Sequence, residues 1–156
     1  MATIEEARAT VMKMLITDMK VPVQVREDGL IRVTKGGFST AVYLNFRQQE
    51  FGGTAPTQTF LSIAAPLLRN VPETDALYKW IAFNGSGFRL GSVEALPEPG
   101  GTVFLMLRHT LLVDYLTSDE LETALWSVLA GANTLDEQLQ NEFGGKRWID
   151  GDELMH

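Results

Sequence analysis

The feature that most constrains this fold is a long amphipathic pattern near the C-terminus. Residues 117–120 form a capping box, in which Thr117 begins a helix and Glu120 reaches back to the cap. Apolar residues then recur at steps of three or four, on one helix face: Leu121, Leu125, Val128, Ala132, Leu135, Leu139 and Phe143. Gly144 and Gly145 end the pattern. The sequence therefore predicts a helix on the order of 40 Å long, which must bury its apolar stripe against another element.

Strands are predicted upstream by alternation of apolar and polar residues. Residues 21–25 and 31–33 alternate on either side of Asp28-Gly29, a strong signal for a tight hairpin turn. Pro22 lacks an amide hydrogen, so the first of these strands is expected at a sheet edge. Further strands are predicted at 40–47, 57–65, 88–95 and 102–112. The last has apolar residues on both faces, which predicts a central position covered on both sides.

Two more helices are predicted, at residues 3–19 with Thr3 as the cap and at residues 73–84 before Asn84-Gly85. Pro66 and Pro72 are expected to frame the connection into the second of them.

The order of these elements indicates an α+β fold. Most predicted strands are joined by tight turns, which favours one antiparallel sheet of five to six strands with an N-terminal, a middle and a long C-terminal helix. The chain has 156 residues, the size of one domain. We expect that domain to span residues 1–145, followed by a short tail at 146–156.

Composition excludes several classes of protein. The net charge of −7 and the pI near 4.8 argue against nucleic acid as a partner, since proteins that bind it usually present a basic face. The absence of cysteine excludes disulfides and thiolate chemistry. No apolar run approaches the roughly 20 residues of a membrane span, and residues 1–20 lack the apolar core of a signal peptide. We therefore expect a cytoplasmic protein without membrane contact.

No motif predicts catalysis, a cofactor or a metal. His109 lies in a predicted strand and is interpreted as a core or sheet-surface histidine, because no sequence feature places a proton-transfer partner beside it. His156 is the last residue, and two isolated histidines give no metal signature. The glycine pairs do not form a phosphate-binding loop.

Apolar side chains on both faces of the strands at 40–47 and 102–112 need an explanation. One layer of helices covers only one face of a sheet. Two explanations stay open for the other face. Either the middle helix folds over it, or a second copy of the chain or a client peptide covers it. We predict a homodimer whose interface includes Leu77, Trp80 and Ile81.

The second half of the sequence resembles the type III secretion chaperone/YbjN superfamily, and in particular its actinobacterial TY-chaperone branch. The similar stretches are residues 77–84 (LYKWIAFN), 88–91 (FRLG), 118–121 (SDEL), 132–136 (ANTLD) and 139–145 (LQNEFGG). The resemblance implies a helix–sheet–helix domain, usually a small acidic homodimer without cofactor or catalysis. Its chaperone members hold an extended client segment on apolar patches.

The function that we predict is binding of a protein or peptide by a chaperone-like or adaptor protein that is not an enzyme. The client is expected in grooves near Val11 and Leu15, or at the edge strand beside Val23 and Val25. One alternative is a structural subunit of an assembly. Another is a small-ligand or enzymatic site built from scattered polar residues, namely Arg32, Arg47, Arg89, Arg108, Asp114 and Tyr115.

Overall fold

An antiparallel sheet organises the chain. The computed structural model describes residues 2–88 and 90–148, so Arg89, His156 and most of the predicted tail lie outside the described residues. The strands are β1 Val23–Val25, β2 Ile31–Val33, β3 Val42–Gln49, β4 Gln58–Pro72, β5 Ser92–Glu98, β6 Thr102–Leu112 and β7 Lys146–Arg147. Their order is β1-β2-β3-β4-β6-β5, and β7 pairs with β4. The predicted α+β class and antiparallel sheet are confirmed, and β1 lies at an edge as Pro22 indicates.

Three helices accompany the sheet at the predicted places: α1 Ile4–Lys13, α2 Asp75–Asn84 and α3 Ser118–Phe143. A π-helical turn, Met14–Asp18, continues α1. The capping boxes begin α1 at Thr3 and α3 at Thr117, and in each the hydroxyl accepts the amide hydrogen three residues on. The long C-terminal helix is therefore confirmed together with the local cause of its start.

One face of the sheet is covered by these helices. The buried apolar stripe of α3 and the buried side of α1 share a core with aliphatic residues of the strands, including Ile31, Leu44, Ile63, Leu105 and Leu107. All five of these strand residues are completely buried. We call this side of the sheet the covered face and the opposite side the open face.

Strand β4 is longer than predicted. The sequence places its end before Pro66, but the strand continues to Pro72, so the expected connection between the two prolines is wrong. Pairing with β3 has stopped at Ala64, and the register with β6 shifts on either side of Leu68. Bulges of this kind leave a backbone amide position unpaired, which lets a sheet accommodate a proline.

Strand β5 begins later than predicted, at Ser92 instead of residue 88, and continues through Pro97. This strand is the second edge of the sheet, where a missing amide hydrogen is tolerated. Strand β6 has the expected interior position between β4 and β5, but the helices of the described residues lie on only one of its two faces.

The chain crosses from the covered face to the open face after α3. Gly144 and Gly145 both have positive φ, and a Cβ on Gly145 would lie 2.7 Å from the carbonyl oxygen of Arg69. Strand β7 then pairs with Leu68 and Arg69 of β4. The boundary predicted at residue 145 stays a prediction, while residues 146–148 lie against the sheet.

Candidate functional site

The open face presents a mixed surface of aromatic, small and cationic side chains. Directly opposed residues of an antiparallel sheet share a face. Register therefore places Tyr43, Ala64 and Arg108 in one row across β3, β4 and β6. The neighbouring row, Asn45, Ser62 and Thr110, is polar.

A small aromatic cluster covers part of this face. Trp148 makes edge-to-face contacts with Tyr43, at 6.2 Å between ring centroids, and with Phe104 at 5.6 Å. Tyr43 and Trp148 are 8% and 6% exposed, and Ala41 and Leu30 complete the cluster. None of these described residues belongs to α1, α2 or α3. Of the two explanations left open for this face, cover by the middle helix is therefore wrong, because α2 packs on the other side, with Trp80 against Phe143 of α3.

Beside this cluster lies a groove of about 470 Å³. Its apolar wall comes from Tyr43, Phe104, Met106 and Trp148, and four arginines surround it, namely Arg26, Arg47, Arg69 and Arg108. Along β4 the lining residues extend from Ser62 to Arg69, or roughly 20 Å of strand. The groove is therefore long enough for an extended peptide of several residues.

A second groove of about 330 Å³ continues the first toward the far end of β3. Arg47, Ser62 and Arg108 line both grooves, so the two form one surface. At its far end Phe51 and Phe60 form another edge-to-face pair, with centroids 6.2 Å apart, and Phe51 is 58% exposed. The open face thus has aromatic groups at both ends, with Arg47 and Arg108 between them.

The four residues predicted to contact a client lie in different environments. Val11 and Leu15 are completely buried in the core, so their side chains line no open groove in this conformation. Val23 is partly buried and Val25 is 55% exposed on the edge strand β1. A role in client binding stays a prediction for all four.

The residues predicted at a dimer interface also differ in their burial. Leu77 is completely buried within the chain, and Trp80 and Ile81 are partly buried against the core. The outer side of α2 instead exposes Tyr78 and Phe83, the latter to 78%. A dimer contact through α2 would therefore use these outer side chains together with the rims of Trp80 and Ile81.

The polar residues of the alternative site are only partly brought together. Arg47 and Arg108 line the same groove, and Arg32 lies opposite Tyr43 in register. Asp114 accepts a 2.7 Å hydrogen bond from the backbone amide of Ala2, and Tyr115 is 82% exposed at a separate groove. Arg89 lies outside the described residues.

That separate groove, of about 510 Å³, lies between β6 and the start of α3 and includes His109, Asp119 and Glu120. Partial burial lowers the pKa of His109 below its usual 6.5. Within residues 2–88 and 90–148, no group of three or more histidine or acidic side chains could hold a metal ion. No helix in the same residues is long and apolar enough to cross a bilayer.

Comparison with protein families identifies the chain. The profile of a family described as T3SS (YopN, CesT) and YbjN peptide-binding chaperone 1, TY-Chap1, matches residues 5–151. The chain belongs to this family. The resemblance noted in the second half of the sequence is therefore confirmed, and it extends over nearly the whole sequence. Comparison with curated proteins finds no significant match.

For this TY-Chap1 chain, sequence reasoning missed three open-face residues, Arg26, Arg69 and Trp148. Arg26 lies next to the predicted strand at 21–25, and Arg69 lies in the predicted connection between Pro66 and Pro72. Trp148 lies in the predicted tail. A tryptophan directly after two cationic residues, three positions beyond a helix stop, was the available signal. Large aromatic residues in short polar tails need an apolar surface to cover them.

Proposed function

We propose that this protein binds an extended segment of a client polypeptide on the open face of its sheet and catalyses no reaction. The observation that carries the proposal is an aromatic groove on a sheet face that no described helix covers, in a chain of a peptide-binding chaperone family. Tyrosine, tryptophan, phenylalanine, methionine and arginine are enriched at protein interfaces, and all five types occur among the residues that line this groove. A cytoplasmic location belongs to the same proposal.

Length and shape support an extended ligand. The two connected grooves run along the strands, and the aromatic rings along them offer contacts for apolar side chains of a ligand. Side chains of an extended peptide alternate, so every second one would point into the surface. The edge strand at Val23 and Val25 is the competing location, where a client would pair with the backbone of β1.

Site-specific photo-crosslinking in cells distinguishes these locations. A photoreactive amino acid is introduced separately at Asn45 on the open face, at Val25 on the edge strand and at Phe83 on α2, all of which are exposed. We expect a client polypeptide that crosslinks from Asn45, with the crosslinks confined to one contiguous client segment, whereas crosslinks from Phe83 should be to a second copy of the chain and not to the client. Crosslinks from Val25 alone would place the client at the sheet edge, and crosslinks scattered over many unrelated sequences would contradict specific binding.

Homodimerisation is part of the proposal and has its own test. Exposed Phe83 and Tyr78 leave an apolar outer side on α2, which a second copy would cover. Light scattering at micromolar concentration should give about twice the 17.3 kDa of the chain, and Phe83→Glu should return the mass to that of a monomer. A wild-type monomer at every concentration would remove this part while leaving the open-face proposal in place.

A further inference from the structure

Electric charge distinguishes the open-face groove from the rest of the protein. The chain carries a net charge of −7, yet the groove is lined by four arginines and only two carboxylates, Asp28 and Glu98. An acidic protein with a locally cationic groove has a surface that attracts negative ligands, and low-dielectric walls strengthen that attraction.

Two of the four arginines are already engaged. Arg26 pairs with Asp28 at 3.3 Å, and Arg108 pairs with Glu94 at 3.2 Å. The carboxylate of Glu98 accepts the backbone amide of Asn70 at 2.8 Å. The charges of Arg26 and Arg108 are therefore largely balanced within the chain, whereas the hydrogen bond to Glu98 leaves its negative charge in place.

The other two arginines have no ion pair among the described residues. Arg47 is exposed, and Arg69 lies over the ring of Trp148, with its guanidinium carbon 5.8 Å from the centroid. The indole N–H of Trp148 is buried and has no hydrogen-bond partner in the same part of the chain. A buried donor without an acceptor is unfavourable, so a ligand oxygen that reached the indole N–H after a small shift of the ring would satisfy it.

These donors lie toward the two ends of an apolar floor. Phe104, Met106 and Ala64 lie between Arg47 on one side and Arg69 with Trp148 on the other. A guanidinium forms its strongest hydrogen bonds with carboxylate oxygens. Apolar side chains of a ligand would displace water from this floor, while the arginines at its two ends would bind negative groups of the ligand.

From this arrangement we infer that the client segment is acidic, with carboxylates toward both ends of the groove and apolar side chains between them. The inference rests on the proposed function, since it specifies the ligand of the same face. Arg47 binds one carboxylate, and Arg69 together with the Trp148 indole binds the other.

The test uses a fluorescein-labelled peptide of about seven residues, in which glutamate, leucine, leucine and glutamate occupy every second position and serine the others. Control peptides replace both glutamates by glutamine or by lysine. Fluorescence anisotropy with the full-length protein should show the glutamate peptide binding about tenfold more tightly than the glutamine peptide. Added salt should reduce this difference.

Protein variants locate the effect. Arg47→Glu should weaken the glutamate peptide about tenfold while leaving the glutamine peptide unchanged. The matched control is Lys13→Glu, the same charge reversal at an exposed position on α1, which should leave the binding of both peptides unchanged. Arg47→Lys keeps the charge and should retain most of the preference.

Three results would overturn the inference, and each says what becomes of the proposed function. Equal binding of the glutamate, glutamine and lysine peptides would remove the acid preference and leave peptide binding on the open face intact. No binding of any peptide, together with no crosslinks from Asn45, would remove both. A change of oligomer mass in Arg47→Glu without peptide binding would assign the face to a second copy of the chain.

Discussion

The two faces of the sheet are both rich in apolar residues, but they differ in kind. The covered face is mostly aliphatic, apart from Phe46, and its side chains such as Ile31, Leu44 and Ile63 are completely buried under α1 and α3. The open face combines Tyr43, Phe104 and Trp148 with arginines and small residues. Aliphatic residues pack densely in an interior, whereas aromatic and arginine side chains combine apolar area with a polar group, as in protein interfaces. The type of apolar residue therefore indicates which face is core and which face we propose to bind a client.

The strongest test of this contrast introduces a charge on each face. Leu125→Asp places an unpaired carboxylate in the stripe of α3 on the covered face, where Leu125 is completely buried. We expect a loss of about 4 kcal/mol or more in the free energy of unfolding, enough to unfold a protein of ordinary stability. The matched variant, Thr110→Asp on the open face of β6, should cost less than about 1 kcal/mol, because Thr110 is exposed.

Urea denaturation followed by circular dichroism measures both variants. Similar losses would mean that the open face is as tightly packed as the covered one. A stable Leu125→Asp protein would mean that the stripe of α3 faces solvent or a partner.

The covered face is the part that the sequence predicts well. The capping box at Thr117 and the apolar spacing from Leu121 onward are local signals, and each is sufficient to place α3. The hairpin at Asp28-Gly29 is equally local. The sequence-based predictions fail where long-range pairing overrides a local signal. Pro66 predicts the end of a strand, but a bulge between two neighbouring strands accommodates it.

The open face depends on contacts between residues that lie far apart in the sequence, and local sequence patterns cannot predict such contacts. Its cluster joins residue 43 to residues 104 and 148, and no spacing rule connects them. The apolar alternation on two strands did predict that a second face needs a cover. The local pattern could not show that α2 packs elsewhere, since α2 is amphipathic whichever side it covers.

A second prediction asks how much the aromatic cluster stabilises the open face. Trp148→Ala removes both edge-to-face contacts, and we expect a loss of about 2–3 kcal/mol, less than for the covered-face charge. In thermal denaturation, the stability of Trp148→Ala should lie between that of Leu125→Asp and that of Thr110→Asp. Trp148→Phe keeps one aromatic ring and should recover about half of the loss. A melting temperature unchanged in Trp148→Ala would show that the indole contributes nothing to the stability of the open face.

A third prediction concerns the link between the two faces. The carboxylate of Asp136 on α3 is 2% exposed, and it accepts hydrogen bonds from the Ser39 hydroxyl at 2.5 Å and from Arg147 at 3.3 Å. Arg147 precedes Trp148, so this ion pair on the covered side helps to hold the indole on the open side. We expect Asp136→Asn to cost about 1 kcal/mol and to increase quenching of tryptophan fluorescence by acrylamide.

The matched control for this link is Glu137→Gln, a neighbouring exposed position on the same helix. It changes the net charge equally and should affect neither stability nor quenching. Increased quenching in both variants would assign the effect to net charge instead of to the contact with Arg147.

The smallest expected effect comes from His109, whose register partner Ile63 lies on the covered face. Burial lowers the pKa of His109 below 6.5, although the carboxylates of Asp119 and Glu120 line the same groove and favour the charged form. When the folded pKa lies below the unfolded one, the unfolded chain binds the proton first. The stability from neutral His109 is therefore complete above about pH 6.5 and is lost as the pH falls toward the folded pKa.

His109→Gln removes this titration while keeping a polar side chain of similar size. Between about pH 7.5 and about pH 5.5, the urea midpoint of the wild type should fall slightly more than that of the variant. The open face has no histidine among the described residues that line its grooves, so peptide binding there should show no matching change in this range. A variant that loses stability as steeply as the wild type would assign the pH dependence to the carboxylates. A wild type that gains stability on acidification would mean that Asp119 and Glu120 outweigh burial at His109.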